Sequence, residues 1–215
     1  MKKDKIKEEQ ERELSEAEQK RLQHLEKVTA EYTAQGYEKK ELLVSVVSAN
    51  VIALAAMLPL YGLGMWIFIS RNGVENLHLN MTEAIAMLVW FVILIPAHEL
   101  LHGLTWSLFS EHHWKDIEFG IMKGYMTPYC TCTAPLKKIP YLLGALMPGL
   151  VLGVIPTVIA VFAGSFLWFT IGIAMTLSAA GDALIVAKVL GYRTEKKEIV
   201  YMDHPTMAGT IVFER

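Results

Sequence analysis

The sequence predicts an α-helical membrane protein: four transmembrane helices, a charged helical arm before them, and a cytoplasmic β-hairpin between the second and third. Three observations carry this. Hydrophobic residues make up 53% of the 215 and charged residues 20%, yet the charges gather near the two ends and in one middle segment. Four apolar stretches, 42–69, 83–109, 139–163 and 166–190, each reach the roughly 20 helical residues that cross a hydrocarbon core. Between the second and third, apolar and polar residues switch to the alternation of a strand.

Residues 1–41 hold ten Lys/Arg, eleven Asp/Glu and no proline. Leu14, Ala17, Leu25, Val28 and Tyr32 recur at roughly helical spacing, so one or two solvated helices are expected, with a thin apolar stripe interrupted by Arg21. A docking or coiled-coil arm is the alternative. Gly36 is expected to part the arm from a membrane domain at 42–190, whose first apolar stretch reads as an anchor rather than a cleaved signal. Because acidic residues alternate with basic ones and the net charge is −2, nothing favours nucleic acid as a partner.

Charge also orients the spans. Nineteen of the twenty Lys/Arg lie in the arm, in the segment between spans two and three, and in the tail, against Arg71 alone on the other side. The positive-inside bias therefore places both termini and the middle segment in the cytoplasm of a multi-pass cell-membrane protein. Trp66, Trp106 and Trp168 fall near span ends, where indole rings prefer the interface.

The second span carries His98-Glu99-Leu100-Leu101-His102. Two imidazoles four residues apart on a helix project from one face and can share a zinc ion. Glu99 beside them suits a base that takes a proton from zinc-bound water. On a soluble helix the pattern is usually a solvated face. Here it follows the uncharged run 87–95, and ionisable groups at bilayer depth are costly to keep without a function. Pro96 stands two residues before the motif and is expected to bend the helix there.

Spans two and four both enter from the outside. His98 lies fourteen residues into one and Asp182 sixteen into the other, about 21 and 24 Å along the axis at about 1.5 Å per residue. Asp182 thus reaches the depth of the two histidines and is the candidate third ligand of a catalytic zinc with an open position. A structural carboxylate capping a kink at Gly181 is the alternative. His112, His113 and His204 are weaker rivals, lying outside the spans. Cys130 and Cys132 are at most half a structural zinc site and read as neutral packing residues.

In the middle segment, 114–136, Ile117, Phe119 and Ile121 alternate with Glu118, Gly120 and Met122; Lys123-Gly124 can turn, and 125–133 can run back. An open hairpin edge at the mouth of the site could bind an extended substrate by strand addition, and a hairpin that merely covers the membrane surface is the alternative. Pro128 and Pro135 limit how much of the return strand pairs. Gly149 and Gly153 in the third span form a small-residue face for close helix packing, between breaks at Pro148 and Pro156. In the tail, 191–215, residues 199–202 and 211–213 read as short strands folding back on the cytoplasmic face, with the hairpin as one candidate partner and no chemistry of their own.

A membrane-embedded His-Glu-Leu-Leu-His, a later membrane aspartate and a β-rich segment between them resemble the site-2 protease class of intramembrane zinc metallopeptidases. The run 98–103, Pro128-Tyr129-Cys130 and Gly181-Asp182 look more closely like a bacterial family of zincin membrane peptidases, over roughly 85–190. The resemblance implies zinc on His98, His102 and Asp182 with Glu99 as catalytic base. In site-2 proteases the aspartate typically precedes a glycine; here Gly181 precedes Asp182.

The expected function is a zinc-dependent intramembrane endopeptidase that cleaves membrane-anchored or membrane-proximal peptides, with the lipid bilayer as its surroundings. A metal-binding transporter or sensor, or a non-cleaving peptidase-like scaffold, is the alternative. For transport, Ser48 and Asn50 in the first span give thin support for a polar path.

Overall fold

In the computed structural model, residues 14–44, 46–122 and 127–215 are described. The Lys123-Gly124 turn, the first thirteen residues of the arm and the side chains of Ser48 and Asn50 lie outside the described residues. The chain begins with helix α1 (Glu16–Ala34) and strand β1 (Glu38–Leu43), followed by α2 (Val46–Asn72) and α3 (Met81–Ser107). The hairpin strands β2 (Ile117–Met122) and β3 (Thr127–Cys132) come next, then the two-residue β4 (Leu136–Lys137). Helix α4 (Lys138–Pro148) passes through a π-helical stretch (Gly149–Val154) into α5 (Ile155–Ala163), and α6 (Phe166–Ser178) runs into α7 (Ala180–Gly191). Strands β5 (Ile199–Asp203) and β6 (Gly209–Glu214) end the chain.

Capping boxes start two of the helices. Ser15 and Glu18 cap each other's backbone at α1, and Asn80 and Glu83 do so at α3. Among the described residues, α3 and the continuous α4–α5 segment are each long and apolar enough to cross a membrane. The pair α6 and α7, bent by 46° at Ala179, makes a third if it is one span. Their outer faces are apolar and uncovered, with Val92 72% and Ile159 60% exposed, which suits lipid rather than water. Helix α2 is a further 27-residue apolar helix with Pro59 inside it.

The helices pack through small residues. A Cβ on Gly153 would stand 2.5 Å from Thr176 Oγ1 and 2.8 Å from its backbone nitrogen, and one on Gly172 would stand 2.4 Å from Thr157 Oγ1. Glycine at both positions is what lets the π-helical stretch and α5 lie this close to α6.

Over one end of the helices lies a four-stranded antiparallel sheet in the order β1-β6-β5-β4, separate from the β2-β3 hairpin. The tail strands therefore pair with β1 and β4 rather than with the hairpin. Residues 38–43, expected to divide between arm and first span, form strand β1, and α2 begins only at Val46. Every residue of β6 is buried because both of its faces are covered. Ile211 and Phe213, with Met202, pack under Leu25 and Val28 of α1, and Tyr32 stacks on Phe213 at 4.8 Å. Val212 and Tyr201 face the other way, onto Trp106, Tyr141, Val186 and Val189. The thin stripe of the arm is thus used against the chain's own sheet. At the start of β6, Gly209 has φ 148°, and a Cβ there would stand 2.6 Å from the Leu42 carbonyl oxygen of the paired strand. The charged run Glu38-Lys39-Lys40-Glu41 lies on β1, an edge strand, where charge discourages further pairing.

Candidate metal centre

Helix α3 runs unbroken through Pro96 and the motif, so His98 and His102 leave it on one face, 7% and 4% exposed. The break at Ala179 puts Asp182 in the first turn of α7, where a helix N-terminus favours a carboxylate. The three side chains meet. His98 Nε2 lies 3.2 Å from Asp182 Oδ2 and 3.2 Å from His102 Nε2, and His102 Nε2 lies 3.5 Å from the same Asp182 oxygen. Three atoms held about 2.0–2.1 Å from one zinc at tetrahedral angles stand about 3.3–3.4 Å apart. The donor set and its spacing therefore fit zinc with one position left open, and among the described residues no other His/Cys/Asp/Glu group comes together this way.

One histidine is oriented from behind, and the cause is local. Pro148 has no N–H, so the Gly144 carbonyl four residues earlier lacks its helical donor. His102 Nδ1–H donates to that carbonyl at 2.8 Å, which leaves the Nε2 lone pair facing the centre. Trp106 stacks on His102 with ring centres 5.1 Å apart and donates Nε1–H to Tyr141 O at 3.1 Å. Gly144 must be glycine for this contact, since a Cβ would fall 2.0 Å from Trp106 Nε1. His98 Nδ1, by contrast, is buried with no hydrogen-bond partner among the described residues.

Glu99 stands beside the donors and lines the same cavity as Cys130 on β3. Two residues along, the Cys132 N–H donates to Asp203 Oδ2 at 2.9 Å. The N–H groups of Cys130 and Cys132 turn away from β2, so the outer edge of β3 faces the centre, with Pro128 at the next alternate position contributing no donor. Gly103 permits this approach, because a Cβ there would lie 2.6 Å from Phe119 and 2.9 Å from Ile117 of β2.

A cavity of about 290 Å³ opens between the donors, β3, the 203–209 loop and the start of α1. The sequence reading missed what the last two contribute. Asp203, from the tail, accepts from Cys132 N–H and from Tyr141 O–H at 2.7 Å. Burial raises its pKa above the ordinary carboxylate value, against the effect of these donors. Arg21, which broke the apolar stripe of the arm, is 6% exposed and lines the same cavity. Its one sequence signal was that position inside the stripe. For Asp203 there was none beyond an acid at a strand end.

The rival ligands go elsewhere. His112 pairs with Asp116 at 3.2 Å, and His113 Nδ1–H donates to Ser107 O. His204 lines the cavity but its Nδ1 accepts the amides of Thr206 and Met207, and burial lowers its pKa. Cys130 and Cys132 are free thiols. Burial pushes Cys130 well up and Cys132 up to about 12, so both are protonated and poor metal ligands at neutral pH.

Two histidines one helical turn apart, a distant carboxylate and a glutamate next to the first histidine are the parts of a zincin-type hydrolase. Residues 91–197, about half of the chain, match the model of the family described as "Putative zincin peptidase", and the chain belongs to that family. No curated protein and no solved structure matches.

Proposed function

We propose that this protein is an intramembrane zinc endopeptidase that cleaves membrane-anchored or membrane-proximal peptides. What carries the reading is the convergence of His98, His102 and Asp182 at zinc spacing beside Glu99, on helices apolar enough to cross a membrane. Counting α2 and taking α6–α7 as one broken span gives four spans, and the charge bias puts both termini, the hairpin and the sheet in the cytoplasm.

His98, His102 and Asp182 would hold the zinc, which when bound supplies a Lewis acid that acidifies water and polarises the scissile carbonyl. An extended peptide lies along the outer edge of β3, where a substrate carbonyl accepts the Cys130 N–H. The Glu99 carboxylate takes a proton from the attacking water and returns it to the leaving amide nitrogen. A helical substrate must unwind first, because its amide bonds are engaged within the helix.

The test compares wild type with Glu99→Gln in purified, zinc-loaded protein and in cells. Retained stoichiometric zinc, lost cleavage and accumulation of uncut membrane proteins support the peptidase. Unchanged cellular function in Glu99→Gln, or wild type that holds no zinc, overturns it in favour of a scaffold or transporter.

A further inference from the structure

The two halves of α1 are held differently. From Leu25 onward it sits on the sheet through apolar contacts of Leu25, Val28 and Tyr32 with Met202, Ile211 and Phe213. Its first turns extend past the sheet over the cavity, where Ser15, Glu18 and Arg21 line the side opposite His98 and Glu99. Polar contacts hold them there, and these converge on one residue. Arg21 donates Nε–H to Pro205 O at 3.0 Å and Nη1–H to Tyr129 Oη at 2.5 Å, and it reaches Glu118 Oε2 at 3.4 Å. Its guanidinium also lies over the Tyr129 ring, 4.9 Å from the centre. Pro205, Tyr129 and Glu118 belong to the tail loop, β3 and β2, so a single side chain ties α1 to three parts of the cavity rim. A second clasp joins His24 Nε2 to Thr133 O at 3.0 Å.

We propose that the first turns of α1 are a removable roof over the catalytic cleft, latched at Arg21, which must lift for a peptide to reach the edge of β3. The part concerning the peptide rests on the peptidase reading; the lifting does not. Tyr129 lies on β3 between Pro128 and Cys130, so a chain pairing along that edge runs beneath the Arg21 contact. At about 290 Å³ the cavity lies just below the roughly 300–1,000 Å³ of small-molecule pockets, so a polypeptide running on past both sides of a scissile bond needs more room than it offers with the roof down. The apolar anchor beyond Leu25 keeps the helix attached when the latch releases, which makes this a hinged cover rather than a dissociating segment. The strip of charge around Arg21, unexplained as a packing stripe, has a use as a polar clasp that water can replace.

The chain carries its own reporters. Cys130 lines the cavity under the roof, whereas Cys132, two residues on, is 1% exposed in the core beneath the sheet. Full-length protein in detergent is treated with N-ethylmaleimide, and the labelling rate at each cysteine is read by mass spectrometry for wild type, Arg21→Gln and Tyr129→Phe. Tyr129→Phe removes only the hydroxyl that Arg21 donates to. The expected result is a Cys130 rate at least about tenfold higher in Arg21→Gln and raised in the same direction in Tyr129→Phe, with the Cys132 rate unchanged. An unchanged Cys130 rate in both variants overturns the proposal. So does a joint rise at Cys130 and Cys132, which marks loosening of the hairpin core instead of a lifting roof. The assay uses neither zinc nor substrate, so a protein whose roof lifts but which never cleaves refutes the peptidase reading alone, and an active protein with invariant labelling refutes the roof alone.

Discussion

Replacing Pro148 by alanine tests whether the proline controls the metal site from a distance. The wild-type Gly144 carbonyl is left without a helical donor by Pro148 and instead accepts His102 Nδ1–H at 2.8 Å. Alanine restores an N–H at position 148 that competes for this carbonyl. The carbonyl has a second lone pair, so the bond to His102 is weakened and misdirected rather than abolished. Loss of a group that orients a metal-ligating histidine typically costs about 10–100-fold in metal affinity, and the shared carbonyl puts Pro148→Ala near the lower figure. That is about tenfold, or ~1.4 kcal/mol. The assay is a competitive zinc titration of detergent-solubilised apoprotein against a fluorescent chelator, with thermal unfolding of the apoprotein run alongside. Pro148 is fully buried, so alanine leaves a small void that offsets the gain from removing a proline inside the continuous α4–α5 segment, and the apoprotein should melt within a few degrees of wild type while zinc affinity falls. Affinity within threefold of wild type would show that the Gly144 contact does not orient His102, and the reasoning from Pro148 would fail.

Other outcomes follow from the same contacts. Glu99→Gln should keep zinc affinity within a few-fold while peptide cleavage falls by about 10²–10⁴, measured as kcat/KM on any cleaved substrate. Gly153→Ala drives a methyl into Thr176 and should lower stability by about 1–3 kcal/mol, whereas Gly181→Ala meets nothing within 4 Å and should stay within about 0.5 kcal/mol, both read from thermal unfolding. For His204, burial lowers the folded-state pKa below the ordinary value of 6.5, so its contribution to stability is complete above that pH and is lost as pH falls through the folded pKa. Melting temperature should therefore drop as pH falls below about 6.5, and His204→Asn, which keeps an acceptor for the Thr206 and Met207 amides, should flatten that part of the profile.

The donors were legible because their relation to one another is local or one-dimensional. His98 and His102 are four residues apart, which fixes a shared helix face whatever surrounds it. Asp182 was reachable from rise per residue and span direction alone, and the two distances met at the centre. The hairpin showed itself through period-two alternation at Ile117, Phe119 and Ile121, because one face of a strand is covered and the other is not. Pro148 was noticed as a break, but its consequence for the Gly144 carbonyl depends on which side chain lies opposite, and nothing in the spacing of α4 names His102.

What the chain order could not disclose is the layer over the helices. Strand β1 hides in Glu38-Lys39-Lys40-Glu41, a run whose charges mask the alternation of a strand, and its partner β6 lies about 170 residues away. Pairing over such a separation leaves no periodic trace, since each strand records only its own burial. The same layer carries Asp203 to the Cys132 N–H and Arg21 to the rim of the cavity. Each looks solvated in sequence, yet Arg21 is buried and Asp203 half-buried because segments from the two ends of the chain fold back over one site. Spacing along single helices thus brought out the three candidate donors, while contacts between segments far apart in the chain built the cleft around them.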